Sequence, residues 1–142
     1  MPNIQAYQEN AHLTDLGRSQ ARRLGQQLAK IYGIDHEQPV AVSELLRNQE
    51  TAAEAGFINT NSYSELDEMK RGPGWTDLRW LIESRRLPIV AINRVEAILE
   101  KPPIESVWIT HGFVIANLCA VLGVHQEKRL IPNFCEIREL QI

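Results

Sequence analysis

The sequence has few cysteines, few aromatic residues and no long apolar run. Its two cysteines argue against a disulfide-stapled fold, and Cys119 and Cys135 fall in apolar stretches, which is typical of buried thiols in a reducing compartment. No apolar stretch approaches the ~20 residues that span a bilayer. Because the chain also opens without a basic-then-apolar leader, the sequence predicts a cytoplasmic protein with no membrane partner.

The charge balance argues against nucleic acid as a partner. Lys and Arg number 15 against 18 Asp and Glu, which gives a net charge of −3. The basic clusters at 18–23 and 85–86 lack interleaved aromatic residues and lie near acidic ones, which is typical of solvated helix faces. The four histidines are scattered singly along the chain. We therefore expect neither a bound nucleic acid nor a metal site.

Helical and strand patterns alternate along the first half of the chain. Thr14 is a predicted N-cap, and the helix after it ends at Gly33. The apolar residues that recur at helical spacing between them are Leu16, Ala21, Leu24, Leu28 and Ile31. Residues 40–42 predict a short buried strand, which ends at Ser43 and gives way to a second helix that closes near Gly56. Polar residues at 59–74 then predict an irregular loop.

The second half continues this alternation. The predicted elements are, in order, a short helix marked by Trp75, Leu78 and Leu81, a helix marked by Ile92, Val95 and Leu99, a strand at 107–109, an apolar helix at 113–122 and an alternating strand at 134–140. Strands that alternate with helices predict one layered α/β domain over residues 1–142, in which helices cover both faces of a mostly parallel sheet.

Two predicted strands are followed by residues suited to bind phosphate, and ligands of such sheets lie beyond the carboxyl ends of strands. His111 follows one strand, and the helix that starts at Gly112 offers unpaired backbone N–H groups that attract anions. Arg47 lies near the start of the helix after the other strand, and its planar guanidinium matches phosphate oxygens. The alternatives are a His111 ring satisfied by backbone atoms and an Arg47 paired at the surface with Glu44 or Glu50.

Four segments resemble motifs of the histidine phosphatase superfamily, to which phosphoglycerate mutases and phosphohistidine phosphatases belong. The segments are LTDLGRSQARRLG at 13–25, SELLRNQETA at 43–52, LDEMKRG at 66–72 and ITHGFVIANL at 109–118. The resemblance implies a phosphoglycerate mutase-like fold and a phosphoryl transfer through histidine that needs no metal or other cofactor. It implies that Arg47 clamps the phosphate, that His111 is the second histidine and that Glu68 donates a proton, with Glu65 and Asp67 as alternatives to Glu68.

The start of the chain departs from that family. Members open with an apolar strand that ends in Arg-His-Gly and carries the nucleophilic histidine, whereas the segment MPNIQAYQENAH at 1–12 contains no arginine and only His12 as a histidine. The first strand is therefore predicted to be degenerate or absent. Either residues 3–7 or a partner chain would fill its position, because the neighbouring strand needs hydrogen-bond partners.

These observations predict a domain that binds phosphate or a small phosphorylated ligand but hydrolyses phosphomonoesters very weakly or not at all. One alternative is a truncated form of an active phosphohistidine or small phosphomonoester phosphatase. Another is an enzyme with an unusual nucleophile such as His12, and a third is a non-catalytic protein-interaction domain. A homodimer is compatible with each of them.

Overall fold

A computed structural model describes residues 12–68, 89–126, 128 and 131–142. The helices and strands in this part of the chain are α1 (Asp15–Tyr32), β1 (Val40–Ser43), α2 (Leu46–Glu54), β2 (Thr60–Tyr63), a 3₁₀ helix (Ser64–Leu66), α3 (Ile89–Glu100), β3 (Val107–Ile109) and α4 (Gly112–Leu122). Three predictions lie outside the described residues: the degenerate or absent first strand, the part of the loop at 69–74, and the short helix marked by Trp75, Leu78 and Leu81.

The described residues form two compact units. The first contains the residues up to Ser64 together with Pro103–Ile109, and the second contains those of Glu65–Pro102 and Thr110–Ile142. The organisation of the whole chain as one domain stays a prediction.

The first unit is built on a parallel sheet, in which the described strands have the order β2-β1-β3. Ser43 lies opposite Tyr63 on one side of β1, and Val42 lies opposite Ile109 on the other. All four residues of β1 are buried. A central strand with both faces covered has a continuous run of apolar residues and not an alternation of apolar and polar ones, which explains the sequence Val-Ala-Val. The predicted α/β class and parallel sheet are confirmed.

Helix α1 begins and ends as predicted. The Oγ1 of Thr14 accepts a hydrogen bond from the Gly17 N–H at 3.0 Å. Gly33 ends the helix in the left-handed conformation, with φ +65°, where a side chain would be strained. The predicted apolar face is too wide, because Ala21, Leu24 and Leu28 are buried whereas Leu16 and Ile31 are 68% and 70% exposed.

Ion pairs connect α1 to α2. Arg18 donates to Glu50 and, at 3.0 Å, to Glu54, and Arg22 donates to Glu54 at 2.8 Å. The hydrogen bonds from Arg18 and then Arg22 lower the pKa of the Glu54 carboxyl below its ordinary value of 4.5. The charged form of Glu54 therefore stabilises the contact between the two helices.

We expect this stabilisation to disappear in acid. A carboxyl whose pKa is lowered by folding stabilises the fold above its unfolded pKa, and the contribution is lost as pH falls through the folded pKa. Glu54→Gln should therefore lower the free energy of unfolding at neutral pH. The difference in this free energy between the variant and the native chain should shrink when the pH falls below 4.5, the ordinary pKa of a glutamate carboxyl. Urea unfolding across a pH series measures it, with the exposed Glu37→Gln as control. A difference that does not change with pH would contradict the role given to the Glu54 charge.

Residues 60–66 correct the prediction of an irregular loop over 59–74, because they form β2 and the 3₁₀ helix. The central side chains of β2, Asn61 and Ser62, are exposed. A strand whose side chains face solvent carries polar residues and shows no apolar alternation. Its backbone nevertheless pairs with β1, which is what makes it a strand.

In the second unit α3 packs against α4. The buried residues of α3 are Ala91, Val95 and Ile98, so the predicted face of Ile92, Val95 and Leu99 is correct only at Val95. The apolar helix predicted at 113–122 is confirmed by α4.

The strand predicted at 134–140 is wrong. The chain turns there instead, with the Glu136 N–H donating to the Asn133 carbonyl oxygen at 3.1 Å. Cys135 has a φ of +56°, a left-handed conformation that interrupts an extended strand. Phe134 is 91% exposed, so its apolar side chain does not mark a core position.

The cysteines agree in part with the prediction of two buried thiols. Cys119 is buried and Cys135 is half-buried, and neither is in a disulfide. Burial raises the pKa of the Cys135 thiol. Across the described ranges, no helix has the length and apolar character to cross a bilayer. Within the same residues, no group of histidine, cysteine, aspartate and glutamate side chains could hold a metal ion.

Candidate functional site

The junction between β1 and α2 is fixed by side chains. Ser43 is fully buried, and its Oγ accepts a hydrogen bond from the Leu45 N–H at 3.1 Å. The Nε2 of Gln49 donates both to the Ser43 carbonyl oxygen, at 2.7 Å, and to the Oγ of Ser62, at 2.9 Å. Leu45 provides no side-chain cap, and the first turn of α2 contains no acidic residue. The positive end of this helix is therefore suited to an anion.

Arg47 is the second residue of α2 and is half-buried. The next residue, Asn48, is buried, and its Nδ2 donates at 3.3 Å to the carbonyl oxygen of Ile109, the last residue of β3. The first turn of α2 is thus tied to the carboxyl end of β3. The Glu50 carboxylate, a partner of Arg47 in the alternative interpretation of the sequence, accepts a hydrogen bond from Arg18.

His12, the alternative nucleophile, lies beside the same carboxylate. Its Nδ1 is 3.0 Å from the Oε1 of Glu50, and its side chain is 70% exposed. The Leu13 N–H also donates to this oxygen, at 3.3 Å. These contacts join the entry of α1 to α2.

His111 stands between β3 and α4, as predicted. It is the N-cap of α4, its backbone is extended (φ −113°, ψ 161°), and it is 6% exposed. Its carbonyl oxygen accepts from the Ile115 N–H at 3.0 Å, which closes the first turn of the helix. No cap hydrogen bond is made by its side chain, and the first turn of α4 carries no acidic residue. A Cβ added at Gly112 would lie 3.4 Å from the Cγ2 of the Ile131 side chain.

The segment before Glu68 is tied to the residue before His111. The Oγ1 of Thr110 donates to the carbonyl oxygen of Leu66. The side chain of Leu66 is fully buried and anchors the segment in the second unit. Glu68 itself is half-buried. The second unit therefore holds the candidate proton donor and the candidate histidine on segments that are directly hydrogen-bonded.

A second set of hydrogen bonds, which also tethers the segment before Glu68, comes from α3. The Nη1 of Arg94 donates to the carbonyl oxygens of Glu65, at 3.2 Å, and of Asp67. Glu65 is exposed, whereas Asp67 and Glu68 are both half-buried, so exposure disfavours only Glu65 as the proton donor.

Three residues that hold these segments were not predicted from the sequence: Asn48, Arg94 and Thr110. Asn48 directly follows Arg47 and Thr110 directly precedes His111. This position next to a predicted site residue could have indicated that each of them helps to hold the site. Arg94 is the only Lys or Arg in α3, a cation within a mostly apolar helix. That pattern could have singled out Arg94 as a residue with a specific partner, although not which partner.

The predicted site residues are distributed over both units. Arg47 belongs to the first unit, and Glu68, His111 and Gly112 belong to the second. Arg47, His111 and Gly112 lie at the expected helix start or strand end of their own units, and Glu68 follows the 3₁₀ helix by two residues. Their joint binding of one phosphoryl group stays a prediction.

Comparison with known families agrees with the motifs. The sequence profile of the histidine phosphatase superfamily (branch 1) matches residues 3–107. The match covers more than half of the 142 residues, includes Arg47 and Glu68, and ends shortly before His111. A comparison with curated proteins found no match. The α/β fold and the extent of the matched region lead to one conclusion: the chain belongs to the histidine phosphatase superfamily.

Proposed function

We propose that this chain binds the phosphoryl group of a small phosphorylated ligand through Arg47, His111 and the backbone N–H at Gly112. The observation that carries the proposal is the parallel pairing of β1 with β3, in which Val42 lies opposite Ile109. The carboxyl ends of both strands lie at one edge of the sheet, where ligands of α/β folds bind. Helix α2 with Arg47 follows one strand, and His111 follows the other by two residues.

Each protein group of the proposed site supplies a different kind of hydrogen-bond donor. The guanidinium of Arg47 offers paired N–H groups that match two phosphate oxygens. The start of α4 at Gly112 offers backbone N–H groups and the positive end of the helix dipole. The imidazole of His111 donates one hydrogen bond when neutral and two when protonated. Glu68 in its protonated form donates to the ester oxygen of the ligand.

We further propose that this 142-residue chain binds without turnover. The triplet Arg-His-Gly, which carries the nucleophile in this superfamily, does not occur in its sequence. When catalytic groups act as a unit, loss of the nucleophile costs roughly 10⁴ to 10⁶ in rate. The proposed activity of this chain is therefore recognition of a phosphoryl group.

Calorimetric titration and thermal unfolding test the binding. Inorganic phosphate and p-nitrophenyl phosphate should both bind the 142-residue chain. Phosphate at about 100 times its Kd should stabilise the fold by about 2.7 kcal/mol, whereas nitrate at equal ionic strength should leave Tm unchanged. Absence of heat and of any Tm shift at millimolar phosphate would contradict the proposal.

Turnover is tested separately with the same chain. We expect no release of p-nitrophenol above the uncatalysed rate and no acid-labile phosphohistidine after incubation with a labelled phosphomonoester. A labelled phosphoenzyme would overturn the proposed lack of turnover while leaving phosphate binding in place. His12→Asn and His111→Asn would then show which imidazole carries the label.

A further inference from the structure

Side chains from two other elements hold the segment that leads into Glu68. Within residues 65–67, the first and third carbonyl oxygens accept hydrogen bonds from Arg94, and the middle one accepts from Thr110. Three consecutive peptide oxygens are thus paired with side chains, whereas backbone oxygens pair mostly with other backbone groups. This segment is held by specific donors rather than by secondary structure alone.

Arg94 is the stronger of the two donors. A single nitrogen, Nη1, reaches both oxygens, and a guanidinium nitrogen of this kind carries two N–H groups. Hydrogen bonds from a charged donor are roughly twice as strong as those between neutral groups. The contacts join α3 to the residues on either side of Leu66, whose side chain is fully buried.

The two tethers act next to the proposed site residues. Arg94 holds the peptide group immediately before Glu68, and Thr110 is the residue immediately before His111. A purely stabilising arginine needs no such placement. One set of hydrogen bonds here fixes the backbone of the candidate acid relative to the candidate histidine, both within the second unit.

We propose that Arg94 is a positioning residue, whose guanidinium fixes the backbone of residues 65–67 so that the Glu68 carboxyl lies against the phosphoryl group bound at His111. This inference rests on the proposed function. It assigns Arg94 no contact with the ligand, because the Nη1 of its guanidinium donates to peptide oxygens.

The pH dependence of anion binding tests this role. Sulfate is a suitable probe, because it is a tetrahedral dianion whose charge is constant while carboxyl and imidazole groups titrate. A Glu68 carboxylate held against the bound anion repels it, whereas the protonated carboxyl donates a hydrogen bond. The other titratable or charged groups of the segment and of the elements that hold it are Glu65, Asp67, Arg94, Glu96, Glu100 and His111, and they remain in Glu68→Gln.

In the native chain, the Kd for sulfate should rise with pH about tenfold more than in Glu68→Gln. Arg94→Met should give the flattened pH profile of Glu68→Gln, and Arg94→Lys should restore part of the native profile. Arg23→Met, an exposed arginine of α1, is the matched control and should keep the native profile. If Arg94→Met does not fold, Thr110→Val removes the other tether and should flatten the profile as well.

Two results would overturn the inference. One is a native pH profile in an Arg94→Met chain whose Tm is lowered, which would make Arg94 merely stabilising. The other is a native chain that binds sulfate with the same profile as Glu68→Gln, which would remove Glu68 from the anion while leaving phosphate binding intact. Failure of the native chain to bind sulfate or phosphate at all would instead refute the proposed function, and this inference with it.

Discussion

Replacing Gly25 with alanine should lower the free energy of unfolding by about 3 kcal/mol or more, because overpacking against backbone cannot be relieved by a rotamer change. Helices α1 and α2 cross so closely at Gly25 that an added Cβ would collide with the backbone oxygen of Ala55. It would also lie 2.8 Å from the carbonyl carbon and 2.9 Å from the Cα of that residue. Small domains are stable by only about 5–15 kcal/mol, so the loss is a large share of the total. Denaturant unfolding of the purified chain measures it.

Gly17→Ala is the matched control for this experiment. It lies in the same helix, but its added Cβ would meet side-chain atoms of Leu13 and Thr14 at 3.3 Å, and these atoms can move. Alanine is preferred over glycine in helices by about 1 kcal/mol, so this variant should lie within about 1 kcal/mol of the native chain. Adding Ala55→Gly should not rescue Gly25→Ala, because the clashing atoms belong to the backbone. Native stability in Gly25→Ala would show that the two helices do not cross there.

Replacing Arg47 with methionine should raise the Kd for inorganic phosphate about 100-fold or more. Hydrogen bonds to charged groups contribute about 1.5–3 kcal/mol, and a guanidinium supplies two of them to one phosphate. Arg47→Lys should fall between the native chain and the methionine variant, because an ammonium keeps the charge without the paired geometry. Titration calorimetry at constant, low ionic strength measures these values.

Stability and binding are measured separately in these variants. The hydrogen bond that Arg47 makes with the Oγ1 of Thr51 uses its backbone oxygen, at 2.8 Å, and survives the substitution. The Tm of each variant without ligand measures any change in stability separately from the Kd. Arg23→Met removes an equal charge from an exposed position of α1 and should leave the Kd nearly unchanged. Equal losses in both variants would mean that phosphate responds to net charge and not to a site at Arg47.

The sequence predicted those helix ends and strands that depend on local residue types. Thr14 and Gly33 have the side chains and backbone freedom that caps require, and both cap α1. The run Val-Ala-Val at 40–42 has the composition of a strand covered on both faces, and it forms the central strand of the three described. The junction of strand, His111 and helix was predicted for the same reason, since a short apolar run ends where a longer one of helical length begins.

The elements that depend on tertiary pairing could not be predicted in this way. Strand β2 has the polar sequence Thr-Asn-Ser-Tyr and exists because β1 offers it a hydrogen-bonded edge. The alternation at 134–140 suggested a strand, but the left-handed conformation of Cys135 interrupts it. The hydrogen bonds of Arg94 were equally out of reach, because their acceptors are peptide oxygens that lie 27 and 29 positions away and carry no sequence signal.

The central claim is that Arg47 and His111 bind the same phosphoryl group, and a crystal structure of the 142-residue chain soaked with inorganic phosphate tests it most directly. The account predicts one ordered phosphate at the carboxyl ends of β1 and β3, with the Arg47 guanidinium and the His111 imidazole each about 2.8 Å from its oxygens. A phosphate held by only one of these side chains, or bound elsewhere on the surface while both remain unoccupied, would contradict it.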